Sequence, residues 1–99
     1  MYEGIFQTVQ INTPAILTDA TGIAANTERK GWSIQNQDTD VLYVRLGGTA
    51  SDTVFHFVLK GCTAAKDGTG GSISQTSGTI YTGVISVAGT TPSYTVMEM

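Results

Sequence analysis

Apolar and polar positions alternate along much of this chain, and the alternation has the period of two that marks a half-buried strand. From Lys30 to Asn36 it sets Trp32 and Ile34 on one side against Ser33 and Gln35 on the other. From Val41 to Leu46 it sets Leu42, Val44 and Leu46 against Tyr43 and Arg45. The Asp-containing turn Gln37 to Asp40 between them predicts a hairpin. Thr53 to Lys60 predicts a third strand, with Phe55, Phe57 and Leu59 alternating against Val54, His56 and Val58. A strand apolar on both sides is either central in a sandwich or covered by a partner. Thr79 to Ser86 and Ser93 to Glu98, joined by Ala88 to Pro92, predict a closing hairpin. Lys66 to Ser72 reads as a mobile glycine-rich loop.

Towards the N-terminus the pattern loosens. Ile5 to Leu17 alternates only in part, and Pro14 cannot donate to a ladder, which suits an edge strand or an extended arm. Asp19 to Gly22 is a turn. Gly22 to Asn26 fits one helical turn or an irregular strand. The expectation is an all-β chain, a small antiparallel β-sandwich or jelly-roll-like barrel. It forms one domain over residues 1–99, with 1–17 as the arm.

Composition agrees. Val, Ile, Thr and the aromatics number 40 of the 99 residues, against 28 of the good helix formers, and the former suit a pleated surface. A net charge of −3 argues against a generic binder of phosphate backbones, so no nucleic acid partner is expected. No apolar run reaches the roughly 18 residues of a membrane span, and the N-terminus lacks the basic and apolar regions of a secretory signal. A single cysteine, Cys62, fits synthesis in a reducing compartment. Thirty consecutive residues between Asp67 and Glu98 carry no Asp, Glu, Lys, Arg or His. An exposed surface normally carries more charge, so this run suggests a covered one.

Candidate chemistry is sparse. His56 lies between two phenylalanines with no nucleophile or orienting carboxylate marked beside it, and reads as a strand-face residue making a polar contact. Cys62 reads as a small core filler rather than an activated thiol. Asp38 and Asp40 do not continue into a calcium loop and read as turn residues. Gly68 to Ser72 has neither the following helix nor the Gly-Lys-Ser/Thr ending of a phosphate loop. Glu28-Arg29-Lys30 is a solvated strand end or a docking point for acidic side chains. Trp32 is a core residue or, alternatively, a sugar platform. No catalytic set emerges, so no enzyme, metal or cofactor is expected.

Two stretches resemble small virion proteins of tailed phages. In the first, Asn26 and Arg29 precede a strand ending Ile34-Gln35-Asn36; a polar turn follows, then Tyr43-Val44, closing at Gly47. In the second, Ser77 to Ser86 leads to Tyr94-Thr-Val-Met-Glu98. The chain departs from that pattern in its aromatic Phe55-His56-Phe57-Val58 segment and its glycine-rich loop from Thr63 to Ser72. The resemblance implies a non-enzymatic capsid decoration, or cement, protein. Such a subunit is made in the host cytoplasm and sits on the virion surface. It binds the major capsid protein as a trimer or dimer, with no membrane. Interface candidates are Tyr2, Ile5 and Phe6 of the arm, Glu28, Arg29 and Lys30, and the strand face around Phe55 and His56. The alternative is a receptor- or glycan-binding module of a tail fibre or spike, using Trp32, Tyr43 or Tyr81.

Overall fold

The structure, a computed structural model, describes residues 15–99. Tyr2, Ile5, Phe6 and most of the expected arm lie outside them. The chain is all-β: strands β1 (Trp32–Asn36), β2 (Leu42–Leu46), β3 (Phe57–Leu59), β4 (Ser72–Gln75), β5 (Ile85–Ala88) and β6 (Tyr94–Glu98), with no helix among the described residues. They form two antiparallel three-stranded sheets, ordered β4-β1-β6 and β3-β2-β5. The sheets face each other as a sandwich. The alternation places Trp32 and Ile34 from one sheet, and Leu42, Val44, Leu59, Ile85 and Val87 from the other, in a single core that also holds Tyr94 and Ile23.

Both expected hairpins are crossovers instead. β1 is flanked on both sides, by β4 and by β6, and β2 by β3 and β5. The turn after β1 therefore carries the chain to the opposite sheet. Asn36 causes the crossing. Its amide nitrogen, buried at the end of β1, donates to the carbonyls of Asp40 (2.8 Å), Leu59 (3.2 Å) and Lys60 (3.1 Å). Its side-chain oxygen accepts from the Asp38 amide. One side chain thus ties the end of the first sheet to the second. The turn that holds Asp38 and Asp40 is braced by this amide. β5 and β6 likewise belong to different sheets.

The segment from Leu17 to Ile23 closes one side of the sandwich. Leu17 bridges Tyr94 on β6, and Ile23 bridges Ile85 on β5. Gly22, at φ +70°, sits where a Cβ would run into the Ile85 carbonyl, so only glycine lets the strap lie this close. Tyr94 anchors the strap from below: its hydroxyl donates to the Asp19 carbonyl (2.8 Å) and accepts from the Gly22 amide (3.0 Å).

The glycine-rich loop is a built structure rather than a slack one. The Asp67 carboxylate accepts from the amides of Ala64 and Thr69 and from the Thr69 hydroxyl, and that hydroxyl accepts from the Thr63 amide. These donors, the hydroxyl foremost, hold Asp67 below the usual carboxylate range. A Cβ on Gly70 would collide with the Asn36 carbonyl and stand 2.8 Å from the Cys62 sulfur. The glycines thus serve close approach, and the residues that follow them form β4.

Candidate docking face

The outer faces of the two sheets differ in kind. On the β4-β1-β6 sheet the outward positions include Ser33, Gln35, Ser72, Ser74, Thr95 and Met97, a surface without charge. On the β3-β2-β5 sheet, Tyr43 lies between Val58 and Ala88 in register. The Phe55 ring packs on Tyr43 at 4.9 Å between centroids. Val41, Phe55 and Val58 remain 40 %, 39 % and 48 % exposed.

The loop joining β2 to β3 shapes this face. Ser86, on the same outer surface, donates to the carbonyls of Gly47 and Gly48, and Arg45 donates to that of Thr49. The loop is thereby drawn down over one half of the sheet, and Ser86 is buried beneath it. Ser51 turns the chain back by accepting from the amides of Thr53 and Val54. His56 then takes over a ladder position. Its Nδ1 accepts from the Leu46 amide at 3.0 Å, where a strand carbonyl would otherwise stand.

This substitution of a side chain for main chain shortens β3 at its start and breaks the expected alternation. Phe57 packs towards the core, whereas Phe55 lies outside on Tyr43 instead of beside it. His56 makes the expected polar contact, but ahead of the strand and as the fixture that places Phe55. Between the loop and the strand ends lies an open groove of about 500 Å³, lined by Asp40, Asp52, Tyr43, Val41 and the Ala88–Thr90 turn.

The basic corner proves to be two different things. Glu28 and Lys30 are exposed, as a docking point would be. Arg29 is buried. It donates to Glu98 at 2.8 Å and to the carbonyls of Ala24, Tyr81 and Gly83. Its guanidinium ties the end of β6 to the segments at Ala24 and Tyr81–Gly83, so Arg29 is withdrawn as a contact residue. Trp32 is withdrawn as a sugar platform for the same reason: it is 1 % exposed, its indole nitrogen donating to Gln75. Cys62 is buried, its thiol directed at the Asn36 carbonyl. Among the described residues no three His, Cys, Asp or Glu side chains gather as a metal site would require.

Of the residues in the first stretch of the phage resemblance, Arg29, Ile34, Asn36 and Val44 are buried, whereas Asn26, Gln35, Tyr43 and Gly47 are half-buried. The buried ones speak to the fold. On the outer face, Tyr43 belongs to that stretch, whereas the exposed Phe55 and Val58 lie outside it. Sequence reasoning named Phe55 and His56 as interface candidates and Tyr43 as a stacking platform, but did not join them with Val58 and the groove as one surface, because only the packing of the β2–β3 loop brings them together. No protein-family model matches the chain, and no curated protein or solved structure matches it.

Proposed function

We propose that this chain is a non-enzymatic virion subunit of a tailed phage, a capsid cement protein that binds the assembled shell through the outer face of the β3-β2-β5 sheet. The observation that carries the reading is the exposed Phe55 packed on half-buried Tyr43, on the same face as the exposed Val41 and Val58. A contiguous apolar surface on a small domain marks an interaction site. Aromatic side chains at the centre of such a surface supply most of the binding free energy. A subunit that binds the closed lattice and not the open one stabilises it by mass action. Its partner is the major capsid protein.

The test is co-sedimentation with purified heads. The wild-type chain should pellet to a fixed stoichiometry. A Tyr43→Ser/Phe55→Ser variant should lose at least about tenfold in affinity while keeping the emission of buried Trp32. Deleting residues 1–8 should abolish pelleting and leave a folded domain; unchanged pelleting would remove the arm from the mechanism. A wild-type chain that stays in the supernatant sinks the cement reading.

The groove favours a second reading, a glycan-binding module of a fibre or spike. Tyr43 and the carboxylate residues Asp40 and Asp52 line it together, a combination of aromatic surface and hydrogen-bond acceptors that suits a sugar. Sugars that shift the Tyr43 and Asp52 resonances, in a chain that ignores heads, would support it.

A further inference from the structure

We propose that two copies of this chain associate through the outer edge of β4, joining their β4-β1-β6 sheets into one continuous sheet about a two-fold axis. The argument starts from the direction of main-chain groups. Tyr94 exchanges both of its hydrogen bonds with Leu17, so in β6 it faces away from β1. In an antiparallel ladder successive residues alternate in this respect. Thr95 and Met97 therefore face Gln35 and Ser33 of β1, and Trp32 and Ile34 face the other way, to Gln75 and Ile73 of β4. That leaves the N–H and C=O groups of Ser72 and Ser74 pointing out of the sheet. Among the described residues no main-chain or side-chain partner meets them.

The other edges are occupied, half-buried or short. The outward groups of Ile85 and Val87 on β5 are met by Ile23 and Ala20. On β6, Leu17 meets Tyr94; the outward groups of Val96 and Glu98 have no main-chain partner among the described residues, but both residues are half-buried and line a cavity with Gly22 to Asn26. On β3 a single residue, Val58, faces outward. Among the described strands, β4 alone keeps two successive outward positions that are both exposed. It is short, at four residues, but carries neither the lysine nor the proline that often blunts an edge.

A second copy is the occupant that the charges favour. The chain carries −3 overall, so two copies repel except where they meet without charge, and β4 lies inside the uncharged run. Antiparallel pairing about a two-fold sets Ser72 opposite Ser74 of the other copy, each pair exchanging main-chain bonds, with hydroxyls close enough to add cross-strand bonds. A two-fold axis of this kind stands perpendicular to the sheet and does not interchange its faces. Both β3-β2-β5 faces then point the same way, which gives a dimer two docking faces on one side. The dimer itself does not depend on the cement reading.

Sedimentation equilibrium of the full chain, without heads, tests it. The mass should rise with concentration towards twice the 10.4 kDa of one chain. Ser74→Pro removes only an outward N–H and no bond to β1, and should hold the mass at one chain. Ser74→Lys should do the same with the Trp32 emission unchanged, as a check that the fold survives. A single-chain mass at every concentration overturns the proposal. So does a dimer that persists in Ser74→Lys, or one abolished by deleting residues 1–14, which would place the contact in the arm.

Discussion

Replacing Arg29 by methionine would leave the Glu98 carboxylate and three carbonyls facing a buried apolar side chain. The ion pair is sequestered, with the two side chains 0 % and 13 % exposed. Breaking such a pair from one side costs about 3–5 kcal/mol. Urea midpoints read through Trp32 should show that loss, and Arg29→Lys should not restore it, because an ammonium cannot span acceptors set for a planar fork. Asn36→Ala should cost about 3 kcal/mol by the same measurement, since the amide deserts three carbonyls and one N–H. Tyr94 gives the fold an alkaline limit. Burial, the largest cause, pushes its hydroxyl up to about 12 from 10. A raised pKa means that the folded state holds the proton more tightly. This stability is present in full below pH 10 and is lost as pH rises from about 10 to 12. The decline should reach about 2 kcal/mol. It should be reduced in Tyr94→Phe, whose stability is lower at neutral pH because the Gly22 and Asp19 bonds are gone.

At the scale of elements, the loops rather than the strands distinguish this chain from a generic sandwich. Strand positions were legible: β1, β2 and β6 fall where the alternation placed them, because period-two burial is a local property of sequence. Strand pairing was not. A turn that returns within one sheet and one that crosses to the other use the same polar residues, and Asn36 chooses between them through contacts with Leu59 and Lys60, more than twenty residues away. β4 escaped notice because Ser72-Ile73-Ser74-Gln75 follows directly on glycines that read as slack. Their purpose is separable by substitution. Gly70→Ala should cost about 2 kcal/mol or more, since the new methyl meets the Asn36 carbonyl. Gly48→Ala, with nothing within 4 Å of its Cβ, should fall within about 0.5 kcal/mol of wild type. Thermal unfolding of the two variants side by side makes the comparison.

For the whole molecule, the asymmetry of the two outer surfaces bears most on function. One sheet shows water an uncharged polar face with an open edge, and the other an aromatic and aliphatic face with a carboxylate-lined groove. An apolar face directed at a shell and an edge directed at a second copy would lie on different sides of the subunit, so the two contacts would not compete. Val58→Asp should therefore weaken pelleting with heads without changing the mass in solution, whereas Ser74→Lys should change the mass first. If Val58→Asp also shifts the mass, β3 takes part in self-association.

The all-β class, three of the six strand positions, the core roles of Trp32 and Cys62 and the uncharged C-terminal run follow from the order of residues alone. Each depends on neighbours along the chain or on composition, and alternation or counting reads both. The membership of the two sheets, the burial of Arg29, the outward turn of Phe55 onto Tyr43 and the open edge at Ser72 and Ser74 were decided by tertiary structure. Each depends on which distant groups arrive to satisfy a buried charge, a carbonyl or an apolar surface: Glu98 for Arg29, Leu59 and Lys60 for Asn36, the Leu46 amide for His56. Those partners are separated by between 10 and 69 residues, a distance over which local pattern carries no information.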